Sequence, residues 1–191
     1  MGTPLRLVQA DTADSLAAGG QAVPTVDAAL FRRAFRQVPA APAVITTSHR
    51  NRPVGLTVTS LRSLSAEPAL LTFSLTRTVS TWPALVDAQQ VLVHLLDGRH
   101  QHLAERFATS GVDRFAEPVR HTADPHGLPL LEGLATVLRA EIVARHGFGD
   151  ADLFVAAVVE VRDEESTGPA FVYHDGGFHH LAGRPERTDA S

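Results

Sequence analysis

Apolar residues with β-branched or alternating patterns follow one another directly through most of this chain, and that succession limits its fold more than any other feature. Ala43-Val44-Ile45-Thr46-Thr47 is a β-branched run, and after the polar turn Ser48 to Arg52 the residues Val54, Leu56 and Val58 alternate with Gly55, Thr57 and Thr59. Period two marks a strand with one face in a core and the other small and polar. These two runs predict a hairpin. Ala69 to Leu75 and Gln90 to Leu95 read as buried strands, Ala135 to Ala144 and Leu153 to Val161 as two longer ones joined by Gly147-Phe148-Gly149-Asp150, and Phe171 to Tyr173 with Phe178 to Leu181 as a closing pair.

Helices are few and short. The first opens at Thr25 or Asp27 as cap, with Leu30, Phe31, Ala34 and Phe35 on one face and Arg32, Arg33 and Arg36 opposite. A second starts at Ser80-Thr81-Trp82-Pro83, where a hydroxyl cap precedes an early proline, and a third covers Arg99 to Ala108. About seven strands and three short helices suit a barrel. The strict strand-helix alternation of a doubly wound sheet is missing. Gly147-Phe148-Gly149 begins like a dinucleotide fingerprint, but Asp152 stands where the third glycine belongs and no helix is expected after it.

The chain has 191 residues, 44% hydrophobic and 20% charged, enough for one domain with a sizeable core. We expect that domain over Thr25 to Ala182, with flexible segments at 1–24 and 183–191. With 17 basic and 21 acidic residues mixed along the sequence, no footprint for nucleic acid or an anionic membrane exists. No stretch approaches the roughly 18 apolar residues of a membrane span, and no signal-peptide pattern opens the chain, so a cytoplasmic location is expected. Cysteine is absent, which excludes thiolate chemistry, iron-sulfur clusters and disulfides within this chain. Any redox chemistry must come from a bound organic cofactor. Ten histidines raise a metal-binding alternative, but His100 and His102 lie two apart on an expected helix, and the adjacent His179 and His180 point to opposite faces of a strand.

Thr57, Thr59, Ser60, Ser63 and Ser65 cluster beside Leu56, Leu61 and Leu64. Composition leaves two readings open. Such hydroxyls can wall a ligand site that offers hydrogen bonds to a polar ring edge and an apolar surface to the ring. They are equally at home on the solvent face of strands and in turns.

Several segments in order resemble the flavin-reductase-like proteins, which include the small reductase components of two-component flavin monooxygenases. They are Phe35, Val38-Pro39-Ala40-Ala41, Val44-Ile45-Thr46-Thr47, Pro53-Val54-Gly55-Leu56-Thr57-Val58-Thr59-Ser60-Leu61-Arg62-Ser63-Leu64-Ser65 with Glu67-Pro68, Arg77 to Trp82, and Leu103-Ala104-Glu105-Arg106-Phe107. Asp113-Arg114-Phe115, Leu128-Pro129-Leu130-Leu131-Glu132-Gly133 and Tyr173-His174-Asp175-Gly176 follow in the same order. The succession extends over about 150 residues and is more specific than any one piece.

The resemblance implies a mainly β fold, an FMN-binding split β-barrel of Greek-key-like type with a few short helices, assembled as a homodimer with the flavin near the subunit boundary. It implies FMN or FAD as cofactor, NADH or NADPH as hydride donor, and a flavin-dependent monooxygenase as recipient. By position, Thr57, Thr59 and Ser60 match the isoalloxazine side, Ser63 and Ser65 the ribityl chain, and Arg77, Ser80 and Thr81 the phosphate region; Val58, Leu64 and Trp82 are counted with the cofactor-binding residues, Trp82 as a large apolar body over a strand or the ligand. Tyr173 and His174 match the nicotinamide side. One departure bears on the reaction: family members carry Gly-Asp-His before the penultimate long strand, whereas here Gly149-Asp150 is followed by Ala151. Loss of that histidine would weaken reduction while leaving flavin binding intact, and His146 replaces it only if the loop folds back. A split barrel repurposed for flavin or ligand binding without reductase activity is the alternative.

Overall fold

The computed structural model describes residues 8–9, 17–18, 21–22, 25–164 and 168–182. Apart from three two-residue strands, β1 (Val8–Gln9), β2 (Ala17–Ala18) and β3 (Gln21–Ala22), the expected N-terminal segment lies outside these residues, as does the tail from 183. Then come α1 (Ala28–Phe35), β4 (Ala43–His49), β5 (Arg52–Val58), β6 (Arg62–Ala66), β7 (Ala69–Thr76), α2 (Trp82–Asp87), β8 (Gln90–Leu95) and, after a 3-10 turn at Gly98–His100, α3 (Gln101–Ala108). Strands β9 (His121–Ala123), β10 (Pro129–Leu131), β11 (Thr136–Phe148), β12 (Ala151–Asp163), β13 (Phe171–His174) and β14 (Gly177–His180) complete the order. Of the two candidate caps for α1, Asp27 is the one used, its carboxylate accepting from the amides of Ala29 and Leu30.

One mainly antiparallel sheet runs β5-β4-β8-β11-β12-β7-β6, with β1 added in parallel to β11. Its two ends, β5 and β6, are consecutive in the chain. The apolar face of the alternation forms a shared interior: Ile45, Leu56, Val58, Leu71, Phe73, Leu75, Val91, Val93, Ala140, Ile142, Phe154 and Ala156 make one buried cluster from six strands. Phe73 and Phe154 stack at its centre, ring centroids 4.9 Å apart. At the seam Ser60 acts as clasp, its hydroxyl donating to the Ser74 carbonyl at 3.1 Å and accepting from the Ser74 amide at 3.0 Å.

A second layer explains why β4 is buried on both faces. Val44 turns outward against Leu103 and Phe107 of α3, with Val119 and Leu131. Gly55 meets the same helix, and Thr57 donates its hydroxyl to the Ala104 carbonyl at 2.7 Å. The small polar face expected on β5 is therefore the bed of a helix. Only small residues let α3 approach that closely. Strands β6, β9 and β10 were not expected; β6 lacks an apolar alternation, and β9 and β10 are too short for periodicity to reveal.

His94, fully buried on β8, ties the outer layer to the sheet. Its Nε2 accepts from the Leu131 amide at 3.1 Å, so Nδ1 carries the proton and donates to the Val44 carbonyl at 3.2 Å. Both ring nitrogens are used in the neutral form. Burial outweighs the carbonyl's effect and lowers the pKa from 6.5 to about 4.

Two outcomes follow from this packing. Because the folded pKa lies below the unfolded one, the unfolded chain takes up the proton first, and the His94 contribution present above pH 6.5 is lost as the pH falls toward 4. Urea unfolding at about pH 5 should show about 2 kcal/mol less stability from this group than at neutrality, a pH dependence that His94→Gln should largely remove. Gly55→Ala would place a Cβ 2.6 Å from Phe107 Cε1 and 3.2 Å from the Ile45 carbonyl oxygen, and should cost about 1–3 kcal/mol in the same experiment.

Candidate functional site

A large hollow among the described residues, about 570 Å³, lies outside the barrel seam between α1, the end of β5 and the β13–β14 hairpin. Phe31 and Phe35 of α1 supply its aromatic wall, with Val38 and Ala40 beyond them and Tyr173 facing from β13. Thr59, Ser60 and Ser74 supply hydroxyls, and Arg32, Arg36, Arg62, His174 and Asp175 complete the lining.

Local chemistry fixes this arrangement. Asp175 and Gly176 have φ of 45° and 87°, the left-handed geometry of a tight hairpin for which an Asp-Gly pair is suited. The segment after α1 pairs with that hairpin, Ala40 and Tyr173 exchanging amide-to-carbonyl bonds of 3.0 and 2.8 Å, while the Asp175 amide donates to the Arg36 carbonyl. Tyr173 packs edge-on to Phe178 with ring centroids 5.2 Å apart. The Ser60 hydroxyl, used twice by Ser74, holds the opposite wall.

Sequence-expected residues divide among several places. Thr59, Ser60, Tyr173 and His174, far apart in sequence, line this hollow. Ser80 and Thr81 line a smaller hollow of about 340 Å³ with His49, Gly55, Asp113 and Arg114. There the buried Thr81 hydroxyl has no hydrogen-bond partner, and burial lowers the pKa of Arg114, which donates to the carbonyls of Thr109 and Gly55. Thr57 is committed to α3, and Val58 is buried in the barrel. Ser63 and Leu64 are exposed on β6, whereas the Ser65 hydroxyl accepts from the Glu67 amide. His146 sits on β11 opposite Leu153, its ring 6.5 Å from that of Phe148.

Arg77 and Trp82 meet at a residue that the sequence reading passed over. Asp152, 4% exposed, takes Arg77 Nε and Nη2 on Oδ1 at 3.2 and 3.0 Å and the Trp82 indole N–H on Oδ2 at 2.7 Å. The Arg77 amide also donates to the Asp150 carbonyl, and the Arg77 guanidinium lies against Gly147. Thus the tip of the β11–β12 hairpin, including Ala151, is pinned to the end of β7 and the start of α2. A signal was available: Asp152 occupies a core-facing position in phase with Phe154 and Ala156, and a carboxylate there requires partners. Arg62, Phe31, Phe35 and Ser74 carried no comparable signal, because their convergence is tertiary.

Trp82, the only tryptophan, reports this junction directly. Asp152→Ala should lower stability by about 2 kcal/mol, since the Arg77 charge loses its partner, and should shift Trp82 emission at neutral pH before unfolding begins. Asp152→Asn should retain the indole bond and most of the emission.

Comparison with known proteins agrees with this architecture. The flavin reductase like domain family matches residues 35–182. An NADH:FMN oxidoreductase from Rhodococcus qingshengii is 36% identical over 152 residues, 78% of this chain and 79% of that protein. The reductase component of a 4-nitrophenol 4-monooxygenase/4-nitrocatechol 2-monooxygenase from Rhodococcus opacus is 31% identical over 156 residues, 82% of each. Among solved structures, a flavin reductase domain protein from Arthrobacter sp. FB24 superposes with a TM-score of 0.76 at 33% identity, covering 83% of this chain and 98% of that one. On the extent of these matches and the sheet order that accompanies them, the chain belongs to the flavin reductase like domain family.

Proposed function

We propose that this protein is an NAD(P)H:flavin oxidoreductase acting on FMN or FAD, and that the hollow between α1, the seam and the β13–β14 hairpin is its cofactor site. The observation that carries the reading is the convergence of Thr59, Ser60, Tyr173 and His174, matched to the family from distant segments, on one aromatic-walled hollow. Its volume, about 570 Å³, falls in the range of small-molecule sites, and its mixture of aromatic faces, hydroxyls and guanidinium groups suits a flat heteroaromatic ring that carries phosphate.

Bound there, a flavin supplies a ring that accepts hydride from the nicotinamide, chemistry that belongs to the two cofactors. The chain's residues bind and orient. Phe31, Phe35 and Tyr173 would shield the ring from water, Thr59 and Ser60 would offer their polar atoms to it, and Tyr173 with His174 would face the nicotinamide. Ser60 cannot swing, because its hydroxyl is bonded twice to Ser74. Thr57 and Val58 act through the strand they anchor. Ser63, Leu64 and Ser65 follow toward the ribityl chain, whereas Ser80 and Thr81, matched by the family to the phosphate region, line a separate hollow with the unpartnered Thr81 hydroxyl. Arg77 and Trp82 act there as the frame that Asp152 holds. His146 would replace the histidine missing at Ala151 only if the loop folded back; it pairs with Leu153 in a regular hairpin and does not line the hollow, which leaves the position at Ala151 without a histidine.

The exposed Val159 and Val161 on β12 support a homodimer in which a second copy covers apolar surface. The monooxygenase-component name of a relative supports delivery of reduced flavin to a flavin-dependent monooxygenase. Among the described residues no helix is long and apolar enough to cross a membrane.

Ala151 favours one second reading, a split barrel that binds flavin without reducing it. Mixing the protein with FMN or FAD and either NADH or NADPH should oxidise the nicotinamide faster than a protein-free control. Quenching of flavin fluorescence without turnover would select the second reading, and neither quenching nor turnover would remove the flavin site altogether.

A further inference from the structure

The large hollow carries an uneven charge. Three guanidinium groups line it, Arg32 and Arg36 from α1 and its C-terminal end, and Arg62 from the start of β6 across the seam. The only carboxylate in the lining is Asp175. Among the described residues none of the three arginines is ion-paired; Arg62 makes one side-chain hydrogen bond, from Nη1 to the Leu61 carbonyl at 2.7 Å. Arg32 and Arg36 are spaced i, i+4, where like charges repel.

Two structural explanations account for part of this. Cations in the last turn complement the helix dipole, which covers Arg32 and equally Arg33, and long polar side chains are ordinary on an exposed helix. Neither covers Arg62, which comes from a different element and closes the rim over the same hollow. Cations from two separate elements around an aromatic-walled cavity fit a ligand with a flat ring and a multiply charged phosphate group, which guanidinium forks bind bidentately.

We propose that Arg32, Arg36 and Arg62 form a phosphate-binding rim that selects nucleotides over their phosphate-free counterparts at this hollow. The assignment rests on the cofactor site proposed above and adds three residues that the family match did not point to. The phosphate has two sources, the flavin nucleotide or the nicotinamide dinucleotide, and the same chemistry serves both.

The full-length protein and two variants, Arg32→Gln/Arg36→Gln and Arg62→Gln, should be compared with Arg33→Gln, which does not line the hollow. Fluorescence titrations with riboflavin, FMN and NADPH give affinities whether or not turnover occurs, so failure of the reductase activity is distinguished from failure of the rim. The rim variants should weaken FMN or NADPH about tenfold while leaving riboflavin within about twofold. Loss for FMN alone assigns the rim to the flavin phosphate, and loss for NADPH alone assigns it to the donor. Raising salt from about 0.02 M to about 0.3 M should weaken the same ligand in the unmodified protein and in Arg33→Gln, and less so in the rim variants. The salt series needs no variant to fold. Equal losses for riboflavin, affinities unchanged for both nucleotides, or no salt dependence in the unmodified protein would overturn the proposal.

Discussion

The curl of one antiparallel sheet around its own apolar face is the constraint on which the rest of this molecule depends. Helix α3 lies on the outside, so Ile45, Leu56, Phe73, Val91, Val93 and Phe154 are covered by the sheet itself, with Ala84 and Leu85 of α2 packed against them. Burying such side chains contributes about 1.5–3 kcal/mol each, and closure is how a single sheet obtains it. Closure brings β5 back beside β7, and the chain crosses that seam at Thr59-Ser60-Leu61 without a regular ladder among the described residues. Ser60 supplies the two missing backbone bonds through its hydroxyl. The place where regular pairing stops is also where the large hollow lies, so the site is a by-product of how the barrel closes.

The outer layer adds a second condition. β4 and β8 are buried on both faces over most of their length, which puts His94 where water cannot reach it. The residue is kept neutral by burial, and the Leu131 amide that donates to Nε2 fits only the neutral ring. Asp152 shows the contrasting solution: a buried carboxylate kept with Arg77 and Trp82 around it, which fixes the hairpin tip instead of the barrel wall. Since that tip carries Ala151, the Asp152 cluster sets the position of whatever residue would have to reach the nicotinamide.

Period two made β5 legible, because burial on one face dictates residue type at every second position, and β-branched or continuous apolar runs made β4, β7, β8 and most of β11 and β12 legible. The Asp175-Gly176 turn was legible as local chemistry. Ordered short segments made the family legible where no single motif would. The hydroxyl-rich segment was only half readable: Thr57 and Thr59 are in phase in the sequence, yet α3 covers the first, while the second lies just past the end of β5 at the hollow. No local pattern distinguishes them, since the difference is the reach of a helix more than forty residues away in the chain. The same holds for Phe31 and Phe35, legible only as the apolar face of a helix, and for Arg62, until the β13–β14 hairpin and the seam are set beside them. Ser80 and Thr81, placed with the others by resemblance, occupy a separate hollow within one chain.

The central claim is that the cavity left at the barrel seam, walled by α1 and the β13–β14 hairpin, is where a flavin ring lies. A crystal structure of the protein grown with FMN tests it most directly. The account predicts density for the isoalloxazine ring beside Thr59, Ser60 and Tyr173. Ring density confined to the hollow of Ser80, Thr81 and Arg114, with the seam cavity holding only solvent, would contradict it.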